Sequence, residues 1–241
     1  MFVTFEGMEG SGKSTALAGV AERLEAMGMD VVCTREPGGS ELGRTVRTLL
    51  LDAKRSMVPE AELFLFLADR AQHVAEVIRP ALARGAMVLC DRFTDSTLAY
   101  QGHARKLDLQ VLASFNQAAT GGLEPDLTLL FDLPVEEGLR RVEERRAQLG
   151  DEGYDRLDAE KRAFHEAVRA GFRFIAEQAP SRVCVLDATL SKEEVLCACL
   201  EAIQARGSTG EGEVLSSGLN SLRTLLQASV PGENNEGNLR F

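Results

Sequence analysis

Tryptophan is absent from the 241 residues and tyrosine occurs only twice, which leaves few flat rings on which successive bases of a strand could stack. Positive charge is also short: 27 Lys+Arg face 37 Asp+Glu, a formal net charge of −10. Such a chain lacks the diffuse cationic field that binding to nucleic-acid polymer or an anionic membrane requires, so a phosphate-bearing ligand must be met by locally placed cations. The cysteines number five, an odd count with no C-x2-C pair, which argues against a disulfide scaffold or a zinc site and for reduced thiols. No apolar run approaches a membrane-spanning length, and the first residues lack a basic stretch leading into an apolar one. These absences predict a soluble cytoplasmic protein.

What is present is 44% hydrophobic residues, enough to bury one large core. Apolar bursts of strand length recur at Phe2 to Glu6, Val31 to Thr34, Ala86 to Cys90, Leu127 to Asp132 and Val183 to Leu186. Between them, helical spacing runs over Ala16 to Met27, Ala61 to Arg84, Leu107 to Ala119, Val135 to Arg146 and Glu160 to Gln178. The alternation predicts an α/β fold, a five-stranded parallel sheet flanked by helices in three layers. From Gly207 the composition shifts to an acidic Gly/Ser linker, an amphipathic helical stretch over Val214 to Val230 and a polar tail. The predicted domain is therefore 1–206, with 207–241 appended.

Gly7-Met8-Glu9-Gly10-Ser11-Gly12-Lys13-Ser14 satisfies G-x-x-x-x-G-K-[ST] directly after a strand and before a helix. By residue frequencies the bare pattern arises by chance in about one chain of this size in a hundred, and the strand-loop-helix context cuts that further. Glycines let the backbone N–H groups and the helix N-terminus surround a polyphosphate. Lys13 neutralises the β/γ oxygens, and the Ser14 hydroxyl suits Mg2+. The loop from Gly7 to Thr15 is thus read as a site for a nucleoside triphosphate with Mg2+. The loop alone leaves kinase, motor ATPase and GTPase switch open. A guanine-reading N-K-x-D motif is missing, and Asp91, which closes an apolar strand as a metal-associated carboxylate would, is followed by Arg92. A basic residue there suggests a second anion beside the metal. Phe66 and Arg70 share a helix face. They read either as a ring and guanidinium around a nucleotide or, for Phe66, as ordinary core, which periodicity alone favours.

Five segments carry a specific resemblance: Glu6 to Ser14, Thr34-Arg35-Glu36-Pro37-Gly38-Gly39, Leu49-Leu50-Leu51-Asp52, Asp91-Arg92-Phe93-Thr94-Asp95-Ser96-Thr97-Leu98-Ala99-Tyr100-Gln101 and Pro125-Asp126-Leu127-Thr128. In order and spacing from Phe2 to about Arg206 the chain resembles bacterial thymidylate kinases. The resemblance implies the P-loop NTPase fold with a mobile lid, near 141–156 here, transfer of the γ-phosphoryl of Mg-ATP to dTMP, and a homodimer. It implies that Lys13 and the loop amides serve ATP, that Ser14 and Asp91 lie at Mg2+, and that Glu9 contacts the acceptor sugar. It puts Phe66 on thymine, Arg70, Arg92 and Arg35 at the acceptor phosphate or base edge, Ser96 and Thr97 at the polar edge, and Tyr100 against the ribose 2′ position.

Transfer needs a cation over the moving phosphoryl, and the phosphate loop contains no arginine. The arginine-dense stretch Arg140 to Arg156, interrupted by glycines, has the composition of a closing lid. Within it Arg140 and Arg141 read as solvated, and Arg145, Arg146 and Arg156 are the candidates, with Arg156 preferred from the resemblance.

Overall fold

The computed structural model describes residues 1–52, 55–150 and 156–208. Five parallel strands, β1 (Phe2–Glu6), β2 (Val31–Arg35), β3 (Met87–Asp91), β4 (Leu127–Asp132) and β5 (Val183–Asp187), lie in the order β2-β3-β1-β4-β5. All neighbouring pairs are parallel, as crossover helices on both faces demand. β1 shows why its apolar residues do not alternate with polar ones. Val3 and Phe5 pack with Leu17, Val20 and Leu24 on one face, while Phe2 joins Val88, Ile78 and Phe93 on the other.

β2, β3 and β5 each end one residue later than expected, at Arg35, Asp91 and Asp187. The ladder continues through these charged residues, pairing Arg35 with Asp91 and Asp132 with Asp187. Side chains that emerge beyond a sheet edge do not interrupt the backbone bonds beneath them, so the charge marks the cleft and not the strand terminus.

The helices are α1 (Lys13–Ala26), α2 (Glu41–Leu51), α3 (Pro59–His73), α4 (Arg79–Ala83), α5 (Thr94–Thr97), α6 (Leu109–Thr120), α7 (Val135–Leu149), α8 (Arg162–Gln178) and α9 (Lys192–Gly207). The single helix expected over Ala61 to Arg84 is α3 and α4 joined by a π-helical turn, Val74–Ile78, just ahead of Pro80. A proline inside a helix removes an N–H and crowds the preceding turn, and a widened turn absorbs it. α1 begins inside the phosphate loop itself, with Gly12 at φ 88° as its N-cap. The sheet order puts β1 in the centre, with its loop opening between β3 and β4, where ligands of open α/β sheets bind. No helix among the described residues is long and apolar enough to cross a membrane. The linker and amphipathic stretch expected after Gly207 lie outside the described residues beyond 208.

Candidate functional site

A cleft of about 860 Å3 runs along the carboxyl ends of the strands. Its floor is the phosphate loop, held by positions where a side chain cannot fit. At Gly7 (φ +143°) a Cβ would fall 2.6 Å from the Phe131 carbonyl, and at Gly10 (φ +73°) 2.4 Å from the Gly138 carbonyl on α7. Met8 is buried beneath the loop. Lys13 Nζ donates to the Met8 carbonyl at 2.8 Å and to Ser11 Oγ at 3.2 Å. Burial and the nearby Arg92 push its pKa down to about 8 against the pull of Asp91, Glu9 and Glu6. A bound anion would raise it again. At the mouth of the loop the Ser14 hydroxyl donates to Asp91 Oδ2 at 2.5 Å. No group of three His, Cys, Asp or Glu suited to a metal occurs among the described residues, so a cation here would draw further ligands from phosphate and water, the habit of Mg2+.

Glu9 and Arg92 form the centre. Arg92 sits at φ +72°, and its guanidinium donates to the Gly7 carbonyl (3.1 Å), Ser96 Oγ (3.2 Å) and Glu9 Oε1 (3.0 Å) over the face of Tyr100. Tyr100 Oη donates to the same Glu9 oxygen at 2.5 Å. Burial opposes ionisation of Glu9, but Arg92, His165, Lys13 and Tyr100 together hold its carboxyl well below the usual carboxylate range. The other oxygen, Oε2, is buried with no close hydrogen bond and faces His165 Nδ1 at 3.5 Å.

Phe66, Arg70, Thr97 and Gln101 line the cleft as well. Phe66 is half-buried and also packs on the Tyr100 and Phe172 cluster, so it is core on one side and cleft on the other. Arg70 is 1% exposed, which requires partners for every donor it withdraws from water. It bonds Glu36 (2.8 Å), Thr97 (2.8 Å), Asn116 (2.6 Å) and the Phe93 carbonyl (3.0 Å). Glu36 is clamped in turn by His73 Nδ1 at 2.9 Å. Arg35 stands exposed at the rim of the same cleft.

Of the lid expected near 141–156, residues 151–155 lie outside the described residues, and the arginines on either side do not all stand where expected. Arg156 does not line the cleft: it donates to the Leu50 carbonyl (3.0 Å) and to buried Glu62 (2.6 Å), because Glu62 is a carboxylate needing cations and Arg156 is within reach. Arg146 does not line it either. Arg145 does, from an ion pair with Asp158 at 2.9 Å. Arg141, read from sequence as solvated, reaches from α7 toward the Gly10 (3.4 Å) and Ala188 (3.3 Å) carbonyls and lines the cleft. The solvated reading holds for Arg140, paired with Glu137 and Glu144 on the outside. Arg47, whose guanidinium holds the Pro37 carbonyl at 3.0 Å, was missed, and Gln101, quoted in the Asp91–Gln101 segment without a role, lines the cleft and bonds Glu62 at 2.7 Å. The one available signal for Arg141 was Gly138 three residues earlier, a glycine inside a helix that marks a close approach on that side.

A central strand, a phosphate loop opening a helix, a carboxylate at the end of the neighbouring strand and several arginines lining the same cleft define a P-loop kinase. A thymidylate kinase family model matches residues 5–198. Among proteins named thymidylate kinase, that of Desulfovibrio desulfuricans is 59% identical over 209 residues, 85% of this chain and 95% of that one. That of Nitratidesulfovibrio vulgaris is 55% identical over 209 residues, 85% and 96%. The crystal structure of thymidylate kinase from Ehrlichia chaffeensis superposes with a TM-score of 0.68 at 32% identity, covering 85% of this chain and 98% of that one. The chain belongs to the thymidylate kinase family, whose named reaction is phosphoryl transfer to dTMP.

Proposed function

We propose that this chain transfers the γ-phosphoryl of ATP to the 5′ phosphate of dTMP, giving dTDP and ADP, with Mg2+ as the metal. The observation that carries it is the shared cleft. The phosphate loop, the Phe66, Arg70 and Thr97 side chains, and Glu9, Arg92 and Tyr100 line the same cleft, so donor and acceptor phosphates would share one cationic site. Lys13 and the loop amides would take the donor phosphates, and Ser14 with Asp91 would hold Mg2+. Bound there, the metal neutralises charge on the β and γ oxygens. Phe66 stacks on the base, Arg70, pre-set by Glu36, meets its edge together with Ser96 and Thr97, and Arg35 and Arg92 meet the acceptor phosphate. Glu9 Oε2 is left for the sugar hydroxyl, with Tyr100 packed against the sugar. Contact with the cleft favours Arg141 and Arg145 over Arg146 and Arg156 as the lid cations. Catalysis is then positioning and charge neutralisation in a site from which water is excluded.

Exposed Phe64 on α3 and Phe115 on α6, with ring centroids 6.0 Å apart, support a homodimer through that face. Five free thiols fit a reducing cytoplasm, and the acidic surface fits monomeric nucleotides better than polymer. The catalytic unit is read as 1–206. A coupled assay across dTMP, dUMP, dCMP, dGMP and thymidine tests the reaction: highest kcat/KM on dTMP is expected, and a preference for any other acceptor defeats the reading.

A further inference from the structure

Glu6, the last residue of β1, is fully buried and does not line the cleft. Among the described residues its carboxylate nevertheless hydrogen-bonds only the turn that carries the acceptor-side residues. Oε1 accepts the Phe93 N–H at 2.7 Å and the Ser96 N–H at 3.3 Å, and Oε2 accepts the Ser96 hydroxyl at 2.6 Å. With its proton committed to Glu6, Ser96 Oγ accepts from Arg92 at 3.2 Å. Immediately before the clamped Phe93 lies Arg92, held at φ +72° with its N–H on the Phe5 carbonyl at 3.0 Å. A side-chain-bearing residue persists in the left-handed region only where its surroundings over-determine it.

No arginine or lysine forms an ion pair with Glu6 among the described residues, and the charges around it are mixed. Asp95 repels it, while Arg92 on its own turn, Lys13 at the start of α1 and Arg182 before β5 attract it. Burying a carboxylate in this way costs stability, so its use must lie in geometry. Two fixed acceptor oxygens organise three donors across four residues, Phe93 to Ser96.

Resting on the kinase reading above, we propose that Glu6 is a positioning residue of the acceptor site. Its carboxylate fixes the left-handed turn at Arg92 and the direction of the Ser96 hydroxyl, so that the guanidinium meets the acceptor phosphate without rearranging. The clamp touches the donor loop through Arg92 on the Gly7 carbonyl at 3.1 Å, while the Lys13 and Ser14 side chains take their hydrogen bonds from Met8, Ser11 and Asp91.

Steady-state kinetics of Glu6→Gln and Glu6→Asp, each substrate varied separately, test this alongside thermal melting. Gln keeps one acceptor oxygen for the two N–H groups but turns an NH2 toward Ser96, and Asp keeps the charge but withdraws it by one methylene. Both are expected to raise the acceptor KM at least fivefold and leave the ATP KM within twofold, with Gln melting no lower than wild type. Equal shifts in both KM values, or an unchanged acceptor KM in the folded Gln variant, overturn the assignment. If the acceptor panel prefers another monophosphate, the same split is measured with that acceptor, so failure of the dTMP reading and failure of the Glu6 role are distinguishable.

Discussion

Lys13 shows how one side chain ties folding to chemistry. In the open loop its ammonium is occupied by the Met8 carbonyl and Ser11, partners that a triphosphate replaces with stronger, charged ones. Lys13→Ala is expected to lower kcat by about 10²–10³ or more, the scale of losing one charge-stabilising donor, with dTMP binding retained. Near-normal kcat would remove Lys13 from the phosphate site. Phe66 carries the matching test on the acceptor side. Base stacking on an aromatic ring is worth about 1–3 kcal/mol, so Phe66→Ala should raise the KM for dTMP about 5- to 100-fold and that for ATP little. Equal changes in both, or loss of folding, would make Phe66 core alone. The sequence argued correctly that Arg70, a cation in an apolar stretch, needs a partner. It could not name Glu36, because a pairing across 34 positions leaves no local periodicity.

At the scale of elements, the period of the apolar residues was enough for the five strands and most of the helices, since a sheet buried on both faces writes itself as continuous apolar runs. The stretch from Thr94 to Ala104 was legible as motif and not as structure. Ala99, Tyr100, Gln101 and Gly102 are all buried in a π-helical turn, Leu98–Ala104, and four consecutive buried residues match neither a strand alternation nor a one-sided helix. The cleft-facing edge of α7 was illegible for a different reason. Glu137–Arg140, Glu137–Arg141 and Arg140–Glu144 are surface-type pairs at helical spacing, which hide the fact that one edge of α7 faces the phosphate loop. Gly138 is the physical link there. A glycine in a helix interior normally gains about 1 kcal/mol on replacement by alanine. Here a Cβ would fall 2.9 Å from the Glu9 carbonyl and 2.7 Å from Met8 Cε, so the loop would have to shift. Gly138→Ala is therefore expected to lower Tm by about 2–4 °C, roughly 1 kcal/mol for a domain this size, and to raise the KM for ATP severalfold. A more stable variant with unchanged ATP KM would show that α7 and the loop are not coupled through this contact.

For the whole molecule, the acidic background and the buried cleft combine into a pH dependence of stability whose sign is fixed by a few groups. Burial, and then Asp95, push Glu6 up to about 7, and burial, and then Glu36, push Asp69 up to about 6. An acid whose folded pKa exceeds its unfolded value takes up a proton first in the native state. Stability is gained as pH falls through the folded value, and the gain is complete below the unfolded one. His165 acts in the same direction: burial opposes its charge, but Glu9, 3.5 Å away, raises its pKa, so protonation again favours the native state. His103, depressed by burial and Lys106, opposes them. On the acid side the sign reverses, because Glu9 and Glu62 are held below the usual range by their partners despite burial, and the stability they supply is lost as pH falls below about 4. The ligand-free protein should therefore be more stable at pH 5.5 than at pH 8, by on the order of 1–2 kcal/mol or about 0.5 M in urea midpoint. Glu6→Gln, which removes the largest of these buried acids, should narrow that difference mainly by raising the midpoint at pH 8. Urea titrations of both proteins at the two pH values check it. A wild-type midpoint that is flat or higher at pH 8 would mean that Glu6 and Asp69 ionise in the folded state as they do in the unfolded chain.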